Sequence, residues 1–73
     1  KTYPVMAIRG DMEGTVYVSF KIGHAGEPGE IEIVKSSGHK ILDETTLNVV
    51  KKAAPYPYID DRVEVPVTYR LNN

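Results

Sequence analysis

Thr15-Val16-Tyr17-Val18-Ser19-Phe20-Lys21-Ile22 alternates apolar and polar residues without a break. Val16, Val18, Phe20 and Ile22 fall on one face, and Thr15, Tyr17, Ser19 and Lys21 on the other. A period of two belongs to a strand with one face buried and one face wet. The next stretch, Gly23-His24-Ala25-Gly26-Glu27-Pro28-Gly29, is dense in glycine and contains a proline, so it reads as a turn. Alternation resumes over residues 30–36, with Ile31 and Ile33 directed inward. Two such strands joined by a short turn make a hairpin somewhat longer than the tightest kind.

Ser36-Ser37-Gly38 ends the second strand, and a helix is expected from Ile41 to Ala54. Leu42, Thr46, Val49, Val50 and Ala53 recur at spacings of three and four and form one stripe, which Leu47 widens. Asp43 and Glu44 lie in the first turn and Lys51 and Lys52 in the last, the polarity that the helix dipole favours. Asp43 is a candidate N-cap. Pro55 stops the helix because it lacks an N–H and disfavours helical geometry before it. Residues 62–71 form a third strand. Val63, Val65, Val67, Tyr69 and Leu71 share one face, and Glu64, Pro66, Thr68 and Arg70 share the other. At the start, in the stretch from Tyr3 to Arg9, Val5, Met6, Ala7 and Ile8 suggest one or two helical turns after Pro4, a residue tolerated at a helix beginning, with Gly10 ending them.

This order permits few topologies. A strand–helix–strand crossover joins parallel strands, whereas hairpin partners are antiparallel. Both hold if strand three lies on the far side of strand one. The expected fold is α+β: a three-stranded antiparallel sheet of order 2-1-3, with a short N-terminal helix and one longer helix on one face. Strands two and three are then edges.

Length and composition limit what such a domain can do. Residues 1–73 read as one domain, with a total stability of about 4–11 kcal/mol at the usual value per residue. The apolar fraction of 41% and charged fraction of 26% are those of a folded soluble domain, and the net charge of −1 argues against nucleic acid as a partner. The absence of cysteine excludes thiolate chemistry and a disulfide framework, and fits either the cytosol or an oxidising compartment. No apolar run approaches the ~20 residues of a membrane span, and no signal peptide is visible. The chain opens on Lys1 rather than Met, as a piece of a longer protein would. His24 and His39 have no cysteine or suitably spaced carboxylate with them, so they read as exposed polar residues and not as metal ligands. Asp60-Asp61 reads as a solvated turn, Lys51-Lys52 as a helix end, and Tyr56 and Tyr58 as packing residues. No catalytic constellation, cofactor site or metal site is expected.

Pro66 is the informative residue. Proline cannot donate to a ladder and so marks an edge strand or a bulge. Backbone direction in the plane of a sheet alternates with period two. If Pro66 turns its nitrogen to the open side, Glu64, Thr68 and Arg70 turn their N–H and C=O groups there too. Two uses of such an edge are open on chemistry alone. Proline and charge protect edges from aggregation, and an open edge can receive a guest peptide as an added strand.

Several segments, taken in order, resemble the C-terminal domain of the TonB family of energy transducers. Tyr3-Pro4 with Ala7 resembles its opening Tyr-Pro motif, and Glu13-Gly14-Thr15-Val16 with Val18 and Phe20 its first strand. Ser36-Ser37-Gly38 followed by Leu42-Asp43 resembles the turn into its long helix. Lys51-Lys52-Ala53 before Pro55-Tyr56-Pro57 resembles the end of that helix, and Val65-Pro66-Val67 with Tyr69 and Leu71 its final strand. The resemblance spans nearly the whole chain. It implies a periplasmic domain of a Gram-negative bacterium, preceded in the full protein by an inner-membrane helix and a proline-rich linker that this chain lacks. It implies coupling of the proton-motive force, through ExbB and ExbD, to uptake of iron-siderophore and cobalamin-type cargo. It also implies binding of the TonB box of TonB-dependent outer-membrane transporters along the last strand. By that carry-over the peptide-binding residues are Tyr3, Pro4, Val63, Glu64, Val65, Pro66, Val67, Thr68, Tyr69, Arg70 and Leu71. Some members of the family carry a further C-terminal strand, whereas this chain ends at Asn72-Asn73. The edge of strand three is therefore expected to be open, or to be used in a strand-swapped or edge-to-edge homodimer. The alternative reading is an envelope-tethering module similar to TolA-type C-terminal domains, which would bind other envelope partners and no TonB-box peptide.

Phe20, Val18, Val50 and Val65 are expected in the core. Phe20→Ala should cost roughly 3–5 kcal/mol in urea denaturation. A loss below about 1 kcal/mol would mean that the strand phase is wrong.

Overall fold

The structure is a computed structural model and describes residues 2–72. Five elements follow one another: α1 (Val5–Arg9), β1 (Gly14–Ile22), β2 (Pro28–Lys35), α2 (Lys40–Lys52) and β3 (Arg62–Tyr69). The sheet has the order β2-β1-β3, and both neighbours run antiparallel to β1. The expected topology is therefore the observed one. β2 starts at Pro28 and not at Glu30, because Pro28 and Gly29 pair with Ile22 and Lys21, so the turn is tighter than the glycines suggest. α2 runs from Lys40 to Lys52, and Ala53 lies past its end and is exposed.

Alternation in β1 places Val16, Val18, Phe20 and Ile22 beneath the helices, each at 7% exposure or less. Two clusters result. At one end Ala7 of α1, Val16, Leu42 and Tyr69 are fully buried together, with Tyr3, Met12 and Ile41 packed against them. At the other end Val18, Phe20, Ile22 and Val50 form a second cluster, supported by Ile31, Leu47, Tyr56, Val63 and Val65. Val67 touches both and joins them. The helices thus cover one face, and α1 seals the end where β1 begins. Pro4 starts α1, its carbonyl accepting from the N–H groups of Ala7 and Ile8, and Gly10 ends it.

Polar groups inside this core are matched. Thr46 is fully buried within α2. Its hydroxyl lies 2.8 Å from the Leu42 carbonyl and 3.0 Å from the Tyr69 hydroxyl, so the stripe position held by threonine becomes a tie from helix to β3. Tyr56 donates to the Val50 carbonyl at 2.7 Å while its ring lies 5.2 Å from that of Phe20. Burial pushes the Tyr56 phenol above its ordinary pKa, which keeps it a donor. The Tyr56 N–H also donates to the Gly26 carbonyl at 2.8 Å, pinning the segment after α2 to the β1–β2 turn. A side chain on Gly26, at φ 86°, would meet that segment at 2.6 Å, so glycine is required there.

Asp43 does not cap α2. His39 holds the N-cap position, and Asp43 sits a turn inside. Its carboxylate reaches back to the turn before the helix. It accepts from the Ser36 hydroxyl at 2.5 Å, the Ser37 hydroxyl at 2.7 Å and the Ser37 N–H at 3.0 Å. Partial burial is the largest single influence on its pKa and opposes ionisation. The three hydrogen bonds, with a small contribution from His39, outweigh it and hold the carboxyl below its usual range. A carboxyl lowered on folding stabilises the fold at pH above its unfolded value of about 3.9. That contribution is lost as pH falls through the lower folded value. Asp43→Asn should cost about 1–3 kcal/mol at pH 7 and flatten the acid limb of the stability curve. Urea melts of both proteins between pH 7 and pH 2 measure the two effects.

Candidate functional site

β3 pairs with β1 over its whole length in one register, from Gly14 opposite Tyr69 to Lys21 opposite Arg62, with no irregularity. Pro66 faces Tyr17. Having no N–H, Pro66 belongs to a pair that does not exchange ladder bonds, and its nitrogen turns away from β1. Because the register is unbroken, that phase holds along the strand. Val63, Val65, Val67 and Tyr69 bond to β1, while Arg62, Glu64, Pro66 and Thr68 direct their backbone groups to the outer edge. The side chains agree with this assignment. Non-bonded pairs bring side chains closest, and the hydroxyls of Thr15 and Thr68, which are opposite each other, lie 3.0 Å apart.

One carboxylate bounds this edge. The Arg62 N–H, at the first outward position, is taken by Asp61 Oδ1 at 2.8 Å. Past the end of the strand, the Leu71 N–H donates to Glu13, the residue before β1, at 2.6 Å, which fastens the exit of β3 to β1 and leaves the outer edge untouched. Within the strand, which ends at Tyr69, the open window runs from Glu64 to Thr68. It offers the N–H groups of Glu64 and Thr68 and the carbonyls of Glu64, Pro66 and Thr68. Arg70 and Leu71, expected inside the strand, lie past its end, because β1 has no residue before Gly14 to pair with them.

The remaining predicted site residues divide by depth. Glu64, Pro66, Thr68 and Arg70 are exposed. Val63, Val65 and Val67 are half-buried and turn their side chains to the helices, so only their flanks border the edge. Tyr69 is fully buried. Tyr3 is half-buried against it, with ring centroids 5.4 Å apart in an edge-to-face arrangement. The Tyr3 hydroxyl donates to the Met12 carbonyl. Desolvation, then the charges of Glu13 and Asp11 and the neighbouring Tyr69, raise its pKa, which keeps the proton on the donor. Tyr3 and Pro4 thus stand at the Tyr69 end of β3, on the helix side of the sheet. A shallow hollow of about 220 Å³ between Glu13, Thr15, Thr68 and Arg70 lies at the same end. A larger one of about 550 Å³ lies at the opposite end, between the β1–β2 turn and the segment entering β3, where His24 stacks on Tyr58 at 4.2 Å.

Sequence reasoning missed these two carboxylates. Asp61 stands immediately before the strand and carried a signal, since an aspartate can accept from the backbone just beyond it. Glu13 carried none, because its partner is 58 positions away.

Among the described residues no group of three or more His, Asp or Glu side chains is arranged to hold a metal ion. What the fold defines is a small α+β domain with a 2-1-3 sheet, helices on one face and one straight open edge. The chain belongs to the TonB C-terminal domain family: the family model described as the Gram-negative bacterial TonB protein C-terminal matches residues 1–72. Members of this family are interaction domains and not enzymes. The chain is 36% identical over 76 residues to the protein tonB2 of Pseudomonas aeruginosa, covering 96% of this chain and 28% of that protein. It is 41% identical over 73 residues to the TonB protein of Helicobacter pylori strain 26695, covering 94% of this chain and 25% of that one. The chain therefore spans about a quarter of the length of these relatives. The solution structure of the Helicobacter pylori TonB C-terminal domain superposes with a TM-score of 0.81 at 35% identity, over 99% of this chain and 82% of that one.

The phase of β3 can be tested by proline substitution. Glu64→Pro removes only an outward N–H, whereas Val65→Pro deletes a ladder bond to β1 and leaves a partner unsatisfied. Val65→Pro should cost at least about 2 kcal/mol more than Glu64→Pro in urea denaturation. The reverse order would mean that the strand is turned the other way.

Proposed function

We propose that this chain is the periplasmic, receptor-binding domain of a TonB-type energy transducer, and that it takes the TonB box of an outer-membrane transporter as an added strand along β3. The observation that carries the reading is the unbroken register of β3 with Pro66 facing outward, in a chain of this family. In the full protein, an inner-membrane helix and the partners ExbB and ExbD would link the domain to the proton-motive force and so to uptake of siderophore, metal or cobalamin cargo.

The site as proposed comprises Tyr3, Pro4 and residues 63–71, with the backbone groups of Glu64, Pro66 and Thr68 at its centre. An antiparallel guest would gain two bonds each at Glu64 and Thr68 and one at Pro66. Five bonds at a net ~1 kcal/mol each, less about 2–5 kcal/mol for ordering the guest, leave little surplus. Most of a micromolar affinity, about −8 kcal/mol, must come from side chains beside the edge. Tyr3, Pro4 and the exposed Thr68 and Arg70 are placed to supply it.

A labelled domain titrated with a TonB-box peptide and followed by NMR tests the reading. Shifts should concentrate between Glu64 and Thr68, reaching Arg70 and Tyr3. Shifts confined to the β2 edge around Ile31 and Ile33, or no saturable binding at millimolar peptide, would sink it.

A further inference from the structure

The sheet has two outer strands, and they are built differently. β3 is regular throughout, while β2 is broken twice. Its pairing with β1 shifts between Tyr17 and Val18 and again between Ser19 and Lys21. At the second break Glu30 adopts φ 47°, a left-handed conformation that a glutamate rarely takes. Bulges that place their first residue in this region normally use glycine there. Glu30 must therefore be held from outside.

We propose that Arg62 holds it, and that Arg62 thereby keeps β2 from accepting a strand, leaving β3 as the only edge open to a partner. The guanidinium lies across β1 on the solvent face. Nε donates to Ser19 Oγ at 2.9 Å, and Nη2 donates to the Glu30 carbonyl at 2.5 Å. Nη1 stands 3.5 Å from the Glu30 carboxylate and Nη2 3.4 Å from that of Glu32. Lys21 approaches Glu30 from the same face at 3.7 Å. The carboxylate pairs are largely exposed and contribute little. The carbonyl bond fixes the main chain of the bulge, and the planar fork that reaches Ser19 and Glu30 together has no equivalent in lysine. The first residue of β3 thus sets the shape of the opposite edge.

Without this hold the chain at Glu30 can relax to extended geometry and β2 straighten. A straight edge with unpaired backbone groups is a template for another strand. Val34, extra in the first break and 55% exposed, adds apolar surface beside it. The occupant of a straightened β2 is a second copy of this chain, whose own β2 presents the same edge.

The experiment is sedimentation velocity over a concentration series, with amide exchange mapping which strand is protected. Arg62→Ala should raise self-association at least tenfold over the unsubstituted chain, with new protection on β2. Arg62→Lys, which keeps the charge and guards against failure to fold, should do so more weakly. Adding Glu30→Gly to Arg62→Ala should return the protein to the unsubstituted level, because glycine holds φ 47° without help. The inference is overturned if neither Arg62 variant associates through β2. It is equally overturned if the double variant associates as strongly as Arg62→Ala, or if the unsubstituted chain already pairs through β2. Peptide binding at β3 is a separate reading, so failure there leaves this test intact.

Discussion

The unbroken pairing of β1 with β3 is the constraint on which the rest of the structure depends. A three-stranded sheet cannot close, so it keeps two outer strands whatever its sequence. β1 lies between them and, among the described residues, is the only strand bonded on both sides. Its alternation therefore fixes which face every neighbour presents. Val16 and Val18 are fully buried because strands flank them and helices cover them. Once β1 places its even-numbered residues inward, the register sends the odd-numbered residues of β3 inward as well. For L-residues in a strand of given direction, the face taken by a side chain also fixes the side to which its N–H and C=O point, and Pro66, which has no N–H to lose, sits at an outward position.

The helices determine how much of that edge remains. α1 is too short to be stable alone. It is retained because Ala7 reaches the cluster of Val16, Leu42 and Tyr69. Its neighbours Val5, Met6 and Ile8 remain 45–65% exposed, so burial on one side only keeps the element in place. Through Tyr3, stacked edge-on against Tyr69, the N-terminal segment is carried to the end of β3. The Thr46–Tyr69 hydroxyl contact ties the same point to α2. Tyr69 is accordingly an anchor of the strand, and a guest would meet its backbone neighbours and not its ring.

Much of this was legible in the sequence because the signals are local and periodic. The alternation of residues 15–22, the stripe on α2 and the stop at Pro55 are statements about neighbours a few positions apart. Together with the crossover rule they give the order 2-1-3. Pro66 gave the edge and its phase for a different reason: a missing N–H has the same consequence in any strand. The boundaries of the site were not legible. Arg70 and Leu71 continue the pattern of β3 perfectly well, and only the absence of a partner before Gly14 removes them from the ladder. Asp43 looks like a cap from its place in the chain, yet its carboxylate is spent on Ser36 and Ser37. The left-handed Glu30 was invisible, because nothing in its type announces that conformation and the residue that holds it lies 32 positions away.

The same asymmetry bears on what kind of recognition the edge can support. Between Asp61 and the end of β3 the window presents two N–H groups and three carbonyls, and the donor missing at Pro66 sits at its centre. A guest needs no acceptor opposite that point, so the middle of the added strand is held less firmly than its flanks. Backbone bonds are indifferent to side-chain identity, and here they supply only a small net free energy. Sequence preference must therefore arise at the ends, where Tyr3, Pro4, Thr68 and Arg70 cluster on one side and Asp61 and Arg62 on the other. An edge of this design would tolerate variation in the middle of a guest and discriminate at the flanks.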